Sequence, residues 1–374
     1  MRGGTSRAVF IMKNELPSDP LTRDRVILGI YGSPDIRQID GLGGADILTS
    51  KLAIIGPPTR EDADVDYQFG QVGIKEPLVD YHGNCGNISS AVGPFAIDEG
   101  IVNAKEPVTI VRIHQVNTQR IIVAEVPVVD GKAAVSGDFA IDGCPGTGAR
   151  ITLDFSDAVG SSTGKLLPTG HVRDSLDVKG VGKIDATLVD VANPAVFVRA
   201  TDLGLTGIEP PGELEANRTV QGRLEKIRAG AGKLMGLIKD EDKSMEESPH
   251  FPYIAVVSNS RNHKTFTGKT VTSEEIDFVS RIMSMQRAHK TYPVTGAICT
   301  AVAAAIEGSL LNEVCTTRGP RFRIGHPSGI IDIEAEVDRS ANGFRIKRAA
   351  VGRTARRIME GYVLVKSELY DSKT

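Results

Sequence analysis

The sequence predicts a mixed α/β (α+β) protein built from two similar halves. Three observations carry that expectation. The chain has 374 residues, enough for two cores of ordinary domain size. Strand-like alternation dominates it, with helices set between groups of strands. A weak internal repeat also recurs: strands, then a polar glycine-containing turn, then a small-residue helix, Gly86 to Ile97 in one half and Gly296 to Ile306 in the other. The match sets Cys85-Gly86-Asn87 against Val294/Thr295-Gly296-Ala297. Helix N-termini carry unpaired N–H groups and the positive end of the dipole, so two of them aimed at a shared cleft suit a di- or tricarboxylate.

The elements follow in order. Ala8-Val9-Phe10-Ile11 reads as a strand, and Asp24 to Tyr31 as a short helix stopped by Gly32-Ser33-Pro34. Gln38 to Asp46 is a glycine-dense loop. Leu52 to Ile55 is a short buried strand, and Asp66 to Val72 alternates like one. Tyr81 to Asn87 is a polar turn opening the first small-residue helix, with Asn84 or Asn87 as its cap. Cys85 sits at that start, where a thiol suits either chemistry on a carboxylate or an inert buried position. Strands follow at Val108 to His114, Arg120 to Val126 and Lys132 to Ser136, with hairpin turns at Asn117-Thr118 and Asp130-Gly131. Residues 137–170 are turn-rich. Gly146-Thr147-Gly148 is a surface loop rather than a nucleotide motif, since no strand–loop–helix context surrounds it.

Val178 to Lys183 opens the second half, and Ile184 to Val198 holds two strands bent at Asn193-Pro194. Helices are expected at about 212–238 and 272–286, with a buried strand from Phe251 to Ser258 between them. The alanine-rich run after Thr295 is a buried helix with Thr295 as its cap. Residues 321–363 return to strands, with turns at Pro327-Ser328-Gly329 and Ala341-Asn342-Gly343. A short turn at Arg353 to Ile358 and a last strand from Tyr362 to Lys366 finish the chain.

Composition removes several function classes. A net charge of −3 without a long basic run, and aromatics at only 5%, argue against nucleic acid. Cys85, Cys144, Cys299 and Cys315 form no CxxC pair and the histidines form no HxH or HxxxH cluster, so neither a disulfide framework nor a metal site is expected. Met1 to Ser6 has no signal-peptide character and no apolar run reaches spanning length, which fits a cytoplasmic protein without a membrane partner. Gly43-Gly44-Ala45-Asp46 lacks the Lys-Ser/Thr of a P-loop, and no Rossmann fingerprint opens a helix, so no nucleotide or organic cofactor is expected. An even-numbered homo-oligomer is the general expectation for such a protein.

Five segments together resemble the methylitaconate Δ-isomerase / 2-methylaconitate isomerase (PrpF-like) family. They are Arg2-Gly3-Gly4-Thr5-Ser6, Gln38-Ile39-Asp40-Gly41 to Thr49-Ser50-Lys51, Gly83-Asn84-Cys85-Gly86-Asn87, Ile324 to Gly329, and Arg353 to Met359. The resemblance runs from Met1 to about Lys366. It implies a diaminopimelate epimerase-like fold: two domains, each a curved, mostly antiparallel sheet wrapped around a central helix, with the active site in the cleft between them. The domains are expected at 1–183 plus 355–374 and at 184–354. Where the wider superfamily opposes two thiols, this chain keeps Cys85 and has Pro293 at the second position, with Cys299 further on inside the helix. That departure counts against an amino-acid epimerase.

The resemblance implies a cofactor-independent isomerase that shifts a proton across an allylic system in a small unsaturated polycarboxylate. Candidates are 2-methylitaconate, 2-methylaconitate and aconitate; the alternatives are a 4-oxalomesaconate tautomerase or a non-catalytic carboxylate-binding accessory to a dehydratase. Removing a γ-proton gives a dienolate, and reprotonation at the α-carbon moves the double bond, so a base, a proton donor and positive potential are needed. By resemblance Lys51 is the base, Cys85 a proton donor or carboxylate-orienting group, and Ser6 a hydrogen-bond partner of a carboxylate or of Lys51. The N–H groups of Gly86-Asn87 and Gly296-Ala297 would hold carboxylates, with Asn84, Thr5, Thr295 and Ser328 contributing. Asn193 matches a superfamily turn that touches substrate. His289, Lys290 and Arg353 stand as further carboxylate partners, His289 equally as a structural histidine and Arg353 rather as an ion-pairing surface arginine.

Overall fold

The computed structural model describes residues 1–340 and 343–370. By contact the chain divides into a unit of Met1–Leu153 with Arg353–Thr374 and a unit of Asp154–Gly352. The boundary expected at 183/184 falls later and would cut through Gly182–Val191, which pairs antiparallel with Asp174–Val178. Strand pairing therefore carries residues 174–183 with the second unit.

In the first unit the sheet is built around Gly86–Asp98. Arg2–Gly3 pairs antiparallel with Ser6–Met12 and with Ala355–Arg356. Ser6–Met12 runs parallel to Lys51–Gly56, which pairs antiparallel with Val65–Val72. Val65–Val72 runs parallel to Val108–Gln115, and that strand forms a hairpin with Arg120–Val129. The helix touches most strands of this series, among them Arg2–Gly3, Ser6–Met12, Val65–Val72, Val108–Gln115 and Arg120–Val129, and Lys132–Ala133 beyond them. A sheet can do that only by curving around it. The composition of the helix follows: every residue from Gly86 to Ile97 is buried, so no polar stripe is present. Gly93 allows the closest approach, since a Cβ there would lie 2.7 Å from Val126 Cγ2.

The second unit repeats the plan around Val294–Ala305, whose residues are buried from Val294 to Ala304. Gly182–Val191 turns directly into Asn193–Arg199, with Val191 opposite Asn193. Asn193–Arg199 runs parallel to Tyr253–Asn259, followed antiparallel by Phe278–Ser284. Arg321–His326 runs parallel to Phe278–Ser284 and forms a hairpin with Gly329–Ser340, which pairs with Gly343–Arg353. Arg218–Leu234 packs on the outside through Val220, Leu224, Ile227 and Ala231.

Several expectations are corrected. The helix expected at 272–286 is the strand Phe278–Ser284, because Phe278, Val279 and Ile282 are β-formers buried in the sheet. Thr272 and Glu275 do form a capping pair, but it closes a turn, with the Thr272 N–H donating to Glu275 Oε2 at 2.8 Å. The helix at 212–238 is two helices, Pro211–Ala216 and Arg218–Leu234, because Asn217 caps the second by accepting from the Val220 N–H. The bend at Asn193-Pro194 is a hairpin reversal at Ala192, with φ of 60°. The first helix starts at Pro20, with Asp19 as its cap, rather than at Asp24. The strand expected at Lys132 to Ser136 is two residues long. Arg353 to Ile358 is not a turn, since Gly343–Arg353 and Ala355–Arg356 are strands there. Tyr362 to Lys366 is irregular, with Tyr362 and Leu364 exposed. The turn expected at Ala341-Asn342-Gly343 lies, at Ala341 and Asn342, outside the described residues. Among the described residues no helix is long and apolar enough to cross a membrane.

Candidate active site

One sheet face and one helix entry gather the polar residues of the first unit. Gly4 and Thr5 form the turn between Arg2–Gly3 and Ser6–Met12, so Gly3 sits opposite Ser6 on one side and opposite Ala355 on the other. Residues side by side across strands point to the same face. That face meets the helix entry, because a Cβ on Gly3 would lie 2.4 Å from the Asn87 carbonyl oxygen. At Gly4, with φ of +50°, a Cβ would lie 2.0 Å from Asn87 Oδ1, so only glycine fits the turn. Asn87 grips this turn: its Oδ1 accepts from the Thr5 N–H at 3.3 Å and its Nδ2 donates to Thr5 Oγ1 at 3.1 Å.

Lys51 enters from the same face. Ala8, two residues after Ser6, is its neighbour in the parallel strand pair. The Lys51 side chain is buried, and its Nζ donates to Cys85 Sγ at 3.4 Å. Nζ also lies 5.3 Å from the centroid of the Phe69 ring, so an aromatic face walls one side of the amine. The Tyr31 hydroxyl donates to the Lys51 carbonyl and fixes the strand at this point.

Cys85, not Asn84 or Asn87, is the cap residue of Gly86–Asp98, and its side chain makes no capping bond. The thiol is thereby left to Lys51. The Cys85 carbonyl accepts from the Ser89 N–H at 2.9 Å and the Ser89 hydroxyl at 3.1 Å. Asn84 braces the turn from inside, with its Oδ1 3.2 Å from Ser89 Oγ. An α-helix starting here leaves the N–H groups of Gly86, Asn87 and Ile88 without intrahelical acceptors, at the positive end of the dipole.

Three groups add to this cluster. Ser6 is 3% exposed, and its hydroxyl has no hydrogen-bond partner among the described residues. Arg353, expected at the surface, is buried at 7% exposure, and its Cδ would lie 3.2 Å from a Cβ on Gly4. Burial draws its pKa down to about 10. Tyr67 was missed by sequence reasoning, although it alternates with Phe69 on one strand face. Its hydroxyl is buried beside Ser89; burial first, and the nearby Cys85 second, hold its pKa well above the usual tyrosine range.

In the second unit the predicted residues bind one another. Asn193 Nδ2 donates to Thr295 Oγ1 at 2.8 Å and reaches the Tyr253 hydroxyl at 3.3 Å, pinning the hairpin tip to the helix start. The cap is Pro293 rather than Thr295. The Ala297 N–H donates to the Pro293 carbonyl at 2.8 Å, so Ala297 leaves the expected anion cradle, and Val294, Thr295 and Gly296 take the open positions. Ser328 Oγ donates to the Lys290 carbonyl at 2.6 Å, and His289 Nδ1 accepts from the Thr291 N–H at 3.2 Å. Both look inward to the backbone, while Lys290 is exposed. Cys299 is fully buried, with Sγ against the Val189 carbonyl at 3.4 Å, and burial pushes its thiol far up. It cannot serve as the second thiol of an opposed pair. Among the described residues no three His, Cys, Asp or Glu side chains gather as metal ligands would.

The chain is similar to known proteins over nearly its whole length. The chain matches the PrpF protein family over residues 1–366. It is 52% identical over 369 residues to a 3-methylitaconate isomerase of Eubacterium barkeri, covering 98% of this chain and 96% of that one. It is 42% identical over 368 residues to a 4-oxalomesaconate tautomerase of Pseudomonas putida, covering 98% and 94%. The crystal structure of a methylitaconate-delta-isomerase superposes with a TM-score of 0.87 at 51% identity, covering 99% of this chain and 95% of that one. A hydroxyproline epimerase from Agrobacterium vitis, 12% identical with a TM-score of 0.50 over 90% of this chain and 79% of that one, shares the epimerase-like fold. Matched from its first residue to Lys366, the chain belongs to the PrpF family.

Proposed function

We propose that the chain is an isomerase that moves a carbon–carbon double bond in a small unsaturated di- or tricarboxylate, using its own side chains as acid and base. The observation that carries this reading is the Lys51 Nζ–Cys85 Sγ contact of 3.4 Å at the entry of a buried helix. Its near relatives are named for isomerisation of such acids.

Lys51, as the free amine, takes the γ-proton, and the C–H electron pair becomes a dienolate. Charge spreads onto the conjugated carboxylate, where the N–H groups of Gly86 and Asn87 meet it. The Cys85 S–H then gives its proton to the α-carbon. This leaves an ammonium beside a thiolate, and one proton transfer across their contact restores the starting state. No oxidant or reductant enters the balance, and solvent hydrogen enters only by exchange with the N–H and S–H protons. The greater identity to the isomerase named for 3-methylitaconate favours a methylitaconate-type substrate over a keto acid.

Incubation in D₂O with methylitaconate, 2-methylaconitate, aconitate and 4-oxalomesaconate in turn tests the reading. Deuterium is expected at the γ-carbon of at least one acid, together with its isomer. Absence of label from all four would sink the isomerase reading and favour a carboxylate-binding accessory. In Cys85→Ser, turnover should fall about tenfold, less than for loss of the base, because a hydroxyl is a poorer acid but fills the same place. If that change alone stops exchange while Lys51→Ala does not, the two roles are reversed.

A further inference from the structure

We propose that Ser6 and Arg353 form a carboxylate subsite at the entry of Gly86–Asp98, and that this subsite makes the enzyme select acids carrying a second carboxylate. The inference rests on the isomerase reading and names what that site recognises. Register places the two side chains. Ser6 lies beside Gly3, and Gly3 lies beside Ala355, two residues after Arg353. The face they share is the one that meets Asn87 and Ile88, where Gly3 makes its close approach to the helix. Ala8 and Lys51 continue that face across the next strand pair. The subsite therefore stands two positions along the strand from the base, a spacing suited to a four- or five-carbon diacid.

Burial distinguishes this place from an ordinary helix N-terminus. Ser6 is 3% exposed with an unmatched hydroxyl among the described residues, and Arg353 is 7% exposed. A buried hydroxyl without a partner costs stability unless a ligand supplies an acceptor. A carboxylate accepts from the Ser6 hydroxyl with one oxygen and from the guanidinium with the other, a geometry that arginine favours. The Asn87–Thr5 pair is already closed on itself, so it fixes the turn rather than binding. Arg353 never touches the migrating proton in this scheme; it fixes the end of the substrate that does not react.

The test compares an unsaturated diacid with its two monomethyl esters. Wild type should prefer the diacid over the ester masked at the subsite by about 100-fold in kcat/KM. Arg353→Gln should lower kcat/KM strongly for the diacid and far less for that ester, shrinking the preference to about threefold. Arg353→Lys should restore part of it, and Ser6→Ala should shrink it through KM. Equal losses on diacid and both esters would make Arg353 structural and overturn the proposal. Should Arg353→Gln fail to fold, an undiminished preference in both Ser6→Ala and Arg353→Lys would overturn it equally. If wild type isomerises none of these acids, the isomerase reading fails instead. Calorimetric binding of the diacid against its esters then still decides the subsite: equal affinities overturn it, and tighter diacid binding lost in Ser6→Ala supports it.

Discussion

Lys51→Ala is expected to lower isomerisation by about 1,000-fold, within the range that a positioned general base supplies. The loss should appear in kcat, since the amine acts on a proton that is still on carbon in the ground state. Lys51→Arg should be nearly as damaging. A guanidinium has much of the reach, but does not accept a proton at working pH. Neither change should unfold the chain, because the Tyr31 hydroxyl holds this strand through the Lys51 carbonyl, which survives any substitution. Proton NMR of the product and of γ-carbon exchange measures the effect, with a thermal melt as control. Activity within about tenfold of wild type, or about 1.4 kcal/mol in barrier, would remove Lys51 from the role of base.

The partner of that lysine was legible in the sequence and its wiring was not. The run around Cys85 announces a helix entry because its glycines, asparagines and small residues suit a crowded start. Which of them caps the helix depends on where the chain turns, and the turn puts Cys85 there while Asn84 and Asn87 reach sideways to Ser89 and Thr5. Lys51 was reachable only through family likeness, since nothing local separates a buried lysine at a strand start from a solvated one. Arg353 shows the same limit from the other side. By itself it reads as an ion-pairing surface arginine, and only the pairing of Ala355 with Gly3 turns its side chain inward. The error at 272–286 has a local cause: charged residues before Phe278 look like a helix start, whereas a sheet neighbour 19 or more positions away decides the strand. Long-range pairing, which no window of sequence contains, accounts for the last two of these differences.

A second large effect is expected on stability rather than on turnover. Asp190→Ala should cost about 3–4 kcal/mol of stability, since each fixed buried donor left unmatched costs about 1–3 kcal/mol. Asp190 is fully buried, and its carboxylate accepts from Ser161 Oγ at 2.7 Å, the Ser162 N–H at 2.9 Å, the Thr163 N–H at 2.6 Å and Thr163 Oγ1 at 2.9 Å. Its own backbone adds two bonds, from Asp190 N–H to the Leu166 carbonyl and from the Gly160 N–H to the Asp190 carbonyl. One residue therefore laces residues 160–166 to the hairpin whose tip carries Asn193. The hydroxyls can rotate to other acceptors when the carboxylate goes, but the two N–H groups cannot, which is why the loss stays below the sum of four bonds. Asp190→Asn should cost roughly half as much, because one acceptor oxygen remains while the new NH₂ opposes a donor. Asp185, on the same strand but half-exposed in a surface ion pair with Arg199, is the contrast: Asp185→Ala should change stability by under about 0.5 kcal/mol. Urea denaturation reads all three as shifts in midpoint at constant slope. If Asp190→Ala and Asp185→Ala differ by less than about 1 kcal/mol, the lacing contributes nothing beyond a surface ion pair, and the loop is held by its backbone alone.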